Sequence, residues 1–118
     1  MKRFLVIYEA PISAVEQMAQ ATPEQAKAGM DAWMNWAKKA QDAIVDLGAP
    51  LGDPANFGRA SLADNGTKAV GYSILQAESS EALSALLREH PHARIASFSI
   101  QFFECLPLPT ESKQPQAA

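Results

Sequence analysis

The order in which extended and helical signals alternate constrains this chain more than any single residue does. Residues 2–8, Lys-Arg-Phe-Leu-Val-Ile-Tyr, form an apolar run without alternation, the pattern of a strand covered on both faces. Thr22-Pro23-Glu24-Gln25 then opens a helix: Thr22 suits the cap, Pro23 the first helical position, and Gln25 completes a capping box. The spacing predicts a helix to about Leu47, where Gly48 offers a left-handed stop and Pro50 forbids resumption. Residues 9–21, between strand and helix, read as an irregular connection with room for a helical turn. A strand is expected near 57–62, followed by the turn Ala63-Asp64-Asn65-Gly66, and a further strand over 68–76. Ser79 caps a second helix from Ser80 to about Glu89, ended by Pro91, and residues 93–106 read as the last strand. The order is βαββαβ. It predicts an α+β, ferredoxin-like domain: an antiparallel sheet with two helices on one face.

Length and composition agree with one such domain. A chain of 118 residues buries enough surface to hold a core unaided, over 1–108, with 109–118 a polar, proline-rich and flexible tail. Of its 118 residues 22 are alanine, so large hydrophobes are scarcer than the 47% apolar content suggests. A net charge of −3 argues against nucleic acid, which needs clustered Lys and Arg. No run approaches a membrane span of ~18 apolar residues, so no membrane association is expected. The basic start Met1-Lys2-Arg3 precedes an apolar run broken at Glu9, which favours a strand over a signal peptide and a cytoplasmic setting. A single cysteine, Cys105, excludes a disulfide framework.

Helical and strand periodicity nominate the functional side chains. On the first helix Ala26, Met30, Trp33, Met34, Ala37, Ala40, Ile44 and Leu47 share an arc, interrupted by Gln41, an amide facing the core or a pocket. On the second helix His90 shares an arc with Leu83, Leu86 and Leu87, at the helix end where the dipole would raise its pKa. His92 follows in His90-Pro91-His92, but no carboxylate stands at a ligand spacing, so no metal is expected. No cofactor motif is present and none is expected. In the third strand Val70, Tyr72 and Ile74 are assigned to the helix side, leaving Ser73 outward. In the last strand Phe98, Ile100 and Phe102 face the helices, leaving Ser97, Ser99 and Gln101 outward with Phe103. Small hydroxyls among large hydrophobes suit a face that closes on a second copy and leaves a cavity.

Several segments resemble the YCII-related proteins, which include the DGPF-domain proteins. They are Arg3-Phe4-Leu5-Val6-Ile7-Tyr8, Thr22-Pro23-Glu24, Met30-Asp31-Ala32-Trp33, Gly48-Ala49-Pro50-Leu51, Val70-Gly71-Tyr72-Ser73-Ile74 and Glu89-His90-Pro91-His92, spread over residues 2–108. The resemblance implies a homodimeric α/β barrel. Gly48-Ala49-Pro50 stands where the eponymous Asp-Gly-Pro-Phe would be, and the first helix holds no histidine, so no catalytic pair is carried over.

Two functional classes remain. One is a dimer with a small-molecule pocket, lined by Tyr8, Trp33, Gln41, Ser73, His92, Ser97, Ser99 and Gln101, with His90 the candidate proton shuttle if chemistry occurs. The other is a non-catalytic interaction or regulatory module in which the barrel only assembles the dimer. A haem-binding or monooxygenase role rests on fold analogy alone.

Overall fold

A computed structural model describes residues 1–58 and 66–109. Four strands, β1 (Lys2–Ala10), β2 (Ile44–Pro50), β3 (Lys68–Ala77) and β4 (Ser99–Glu104), form one antiparallel sheet in the order β2-β3-β1-β4. Three helices, α1 (Ala14–Gln20), α2 (Pro23–Lys39) and α3 (Ser80–Leu87), complete the ferredoxin-like α+β arrangement. Both expected caps are present. Thr22 Oγ1 accepts from the Gln25 backbone N–H while the Gln25 side chain accepts from Thr22 N–H, and Ser79 Oγ accepts from Ala82 N–H. The connection after β1 holds a third helix, α1, capped by Ser13.

The first long helix ends at Lys39, not near Leu47. A 3₁₀ turn over Gln41–Ala43 follows, and Ile44 then pairs with Leu75 of β3. β-Branched Ile44 and Val45 fit a pleated strand better than a helix, and pairing along β3 decides the matter. Gly48 has the expected positive φ, +83°, yet it makes a bulge inside β2 instead of a helix stop. A Cβ there would lie 1.7 Å from the Tyr72 carbonyl oxygen, so only glycine fits. The second strand is therefore 44–50. Phe57 and Gly58 are not in a strand, and the rest of the expected 57–62 strand and the turn residues 63–65 lie outside the described residues, as do 110–118 of the tail. The last strand is shorter than expected, because Pro91–Arg94 is a 3₁₀ turn and Ser97 sits in a turn at φ +73°.

The core lies between the sheet and the helices. Phe4, Val6, Tyr8 and Ala10 of β1 face it, with Leu75 and Ala77 of β3, Trp36, Ala37 and Ala40 near the end of α2, and Leu83 and Leu87 of α3. Phe4 meets Phe102 edge to face at 5.7 Å. The expected arc of α2 is only partly buried: Met30 and Met34 are 61% and 45% exposed, because the front half of the helix stands clear of the sheet. In β3 Val70 is buried as expected, but beyond it the assigned faces are reversed. Val6 pairs with Ser73 and Phe4 with Leu75, which puts Ser73 and Leu75 under the helices and Tyr72 and Ile74 on the open face.

Candidate functional site

Tyr8, Trp33, Trp36, His90 and His92 converge beneath the helices. β1 supplies Tyr8 from its inward row, and α2 supplies both tryptophans at a spacing of three, one helical turn apart. The sharp exit from α3, held by Pro91, turns His90 inward as the cap of the next 3₁₀ turn. The His90 ring stacks on Tyr8 with centroids 4.8 Å apart and meets Trp33 and Trp36 at 4.3 and 4.4 Å. Trp36 is fixed in turn by donating Nε1–H to the Leu86 carbonyl at 3.3 Å.

Hydrogen bonding sets the state of each polar group. The Tyr8 hydroxyl donates to Ser73 Oγ at 3.0 Å, and Ser73 donates onward to the Leu47 carbonyl at 2.6 Å. Burial pushes the Tyr8 phenol above its usual pKa, offset in part by the Ser73 contact. His90 Nδ1 accepts the His92 backbone N–H at 3.0 Å, so in the neutral ring the proton sits on Nε2. That Nε2 is fully buried and has no hydrogen-bond partner. Burial, reinforced by His92 nearby, lowers the His90 pKa to about 3. This reverses the expectation from the helix dipole: desolvation among aromatic rings outweighs a partial charge at a helix end. His90 is accordingly neutral near pH 7, a fixed Nε2–H donor. His92 Nε2–H donates to the Glu9 carbonyl at 2.9 Å, and burial also lowers the pKa of His92.

Of the residues nominated from sequence, Tyr8, Trp33, Ser73, His90 and His92 come together. The others do not. Gln41 is exposed in the 3₁₀ turn, Ser97 is exposed in a turn, Gln101 pairs with Ile7 on the open face, and Ser99, paired with Glu9, lies apart from the cluster but lines a groove between α3 and β4. Register against β1 turns Ser73 inward from the proposed outward face, and its hydroxyl is satisfied there by Tyr8 and the Leu47 carbonyl. Trp36 and Phe98 were not nominated, although the Trp33/Trp36 spacing and the row Phe98, Ile100, Phe102 carry the signal. Phe98 meets His92 at 4.9 Å and links the cluster to an open groove of about 320 Å³ between α3 and β4. The groove is lined by Ser84, Leu87, Arg88, Phe98, Ile100 and Phe102, among others. Among the described residues no group of three or more His, Cys, Asp or Glu side chains is placed to hold a metal ion, and no helix is long and apolar enough to cross a membrane.

No family model matches the chain, and no curated protein matches it in sequence. Among solved structures, it is similar to the 5-chloro-2-hydroxyhydroquinone dehydrochlorinase of Burkholderia phenoliruptrix in complex with 2,5-dihydroxybenzoquinone. The two are 14% identical over 86% of this chain and 91% of that one, with a TM-score of 0.46.

Proposed function

We propose that the protein is a homodimeric, YCII-like small-molecule-binding protein whose ligand sits in the groove between α3 and β4. The observation that carries this reading is the groove itself: a shallow, open depression with an apolar floor of Leu87, Phe98, Ile100 and Phe102 and a few polar groups at its rim. The aromatic cluster forms its rigid back wall through the contact of His92 with Phe98. In this reading His90 is a packed neutral imidazole that shapes the wall, and its pKa of about 3 suits it poorly to shuttling protons at neutral pH.

Dimerisation draws on the opposite face of the sheet. Leu5, Ile7, Tyr72, Ile74 and Phe103 lie there on neighbouring strands, and cross-strand pairing places Leu5 beside both Ile74 and Phe103. A face this apolar is the kind that a second sheet covers. Cys105, a free exposed thiol, fits a reducing compartment such as the cytoplasm.

Two measurements test the reading. A thermal-shift screen of metabolites should yield a ligand that raises Tm, since binding only the native state stabilises it by mass action. Light scattering at micromolar concentration should give twice the chain mass, and Ile74→Asp should halve it. A monodisperse monomer from the unaltered chain refutes the dimer, and a screen without a single hit refutes the binding role.

A further inference from the structure

We propose that the groove between α3 and β4 takes a small carboxylic acid with a compact apolar body, an aromatic or cycloaliphatic monocarboxylate. The inference rests on the small-molecule reading above and narrows it to a chemical class.

The apolar half of the site follows from the position of β4. Ile100 and Phe102 pair with Tyr8 and Val6, and with Phe98 they form a row at alternate positions on the helix-facing side of an edge strand. α3 packs its Leu83 and Leu87 into the core, leaving the row only partly buried. A row of three large hydrophobes with a floor but no roof favours an apolar ligand body. A groove of about 320 Å³ lies at the low end of the ~300–1,000 Å³ typical of ligand pockets, which suits a single ring.

The polar half follows from α3. Ser84 and Arg88 stand four residues apart, so both present to the groove from one helix face, with Leu87 between them. The ion pairs among the described residues are Lys2–Glu104 and Lys27–Asp31, so Arg88 has no carboxylate of this chain within reach there. Of the carboxylates closest in sequence or on the neighbouring strands, Glu89 lines a separate groove with Trp36 and Lys39, Glu104 holds Lys2, and Glu9 of β1 accepts from Ser99 Oγ at 3.5 Å at the edge of the groove. The negative end of α3 also points this way. Its terminal carbonyls at Ser84, Leu86 and Leu87 are already taken by the N–H groups of Arg88, Glu89 and His90, which blunts their repulsion of an anion. One planar guanidinium matches one carboxylate in a two-point contact, whereas a phosphate site recruits several cations.

The test is a titration of the isotope-labelled full chain, followed by amide NMR shifts, with benzoate, cyclohexanecarboxylate, benzamide and acetate. Benzoate and cyclohexanecarboxylate should shift the amides around Ser84–Arg88 and Phe98–Phe102. Benzamide, which lacks the charge, and acetate, which lacks the body, should each bind at least tenfold more weakly. Arg88→Gln should bring benzoate down to the level of benzamide with Tm unchanged, and Ser84→Leu should weaken all the ring ligands by filling the groove. Equal binding of benzamide and benzoate, or an Arg88→Gln variant that binds benzoate unimpaired, overturns the acid assignment while the groove stands as a site. Groove amides that none of the four probes moves overturn the assignment too, and the metabolite screen then decides separately whether the protein binds small molecules at all.

Discussion

Acidification should destabilise this protein in a way that His90 makes measurable. The imidazole has an ordinary pKa of 6.5 when the chain is unfolded and about 3 when it is folded. Between those values the unfolded chain binds a proton that the folded chain refuses, so stability is full above about pH 6.5 and is lost as the pH falls. From pH 7 to pH 5 the loss from this one group is about 2 kcal/mol, with a slope approaching ~1.4 kcal/mol per pH unit. His92, lowered by burial as well, adds a loss of the same sign. The control is His90→Gln, which keeps an acceptor for the His92 N–H but removes the ring between Tyr8, Trp33 and Trp36. It should cost about 2 kcal/mol at pH 7, from lost ring contacts and the cavity left behind. At pH 5 the gap between variant and parent should nearly close, since the variant has no ring to protonate. Urea denaturation of both proteins at pH 7, 6 and 5, at one protein concentration, reads this directly. Parallel slopes for the two proteins, or stability that grows as the pH falls, would refute the buried neutral assignment.

Gly48→Ala should cost at least ~3 kcal/mol in the same assay, because it combines a positive φ with a Cβ driven into the Tyr72 carbonyl; a loss under ~1 kcal/mol would show that the bulge can relax. Tyr8→Phe should cost about 1 kcal/mol, since Ser73 still donates to Leu47. Ser73→Ala should cost about 2–3 kcal/mol, since it strands both the Tyr8 hydroxyl and the Leu47 carbonyl. In the double variant the losses should fall short of additive, and strict additivity would mean the two hydroxyls are not coupled.

Much of the fold was legible because its local signals were unambiguous. The Thr22/Gln25 capping box and the Ser79 cap each have one structural meaning and form as read; the apolar run of β1 forms the expected strand, but only its Phe4, Val6 and Tyr8 side is buried, not both faces. β2 was hidden by a signal with two meanings. A positive-φ glycine followed by proline ends a helix, and it equally makes a bulge in an edge strand; here pairing with β3 selects the bulge. The reversed face of β3 has a different cause. Val70, Tyr72 and Ile74 on one side compete with Gly71, Ser73 and Leu75 on the other, and neither set is polar enough to declare itself outward. Register against β1 decides, and a shift of one residue exchanges the faces.

The site was partly legible for the same reason that its electrostatics were not. Tyr8, Trp33, Ser73, His90 and His92 could be nominated because polar or aromatic residues stood on expected inward positions. The state of His90 depends on what surrounds it, and that is a property of the assembled core. Viewed along the chain, His90 is a histidine at a helix end, where a proton is welcome. In the fold, three aromatic rings remove its water, and a backbone N–H occupies the nitrogen that a second proton would need. The same tertiary effect turns Ser73 from an apparent surface hydroxyl into the middle of a buried relay. Both polar groups are thus used to hold the wall of the molecule rigid. The groove beside that wall, where Arg88 is exposed and unpaired among the described residues, is the site proposed for the ligand.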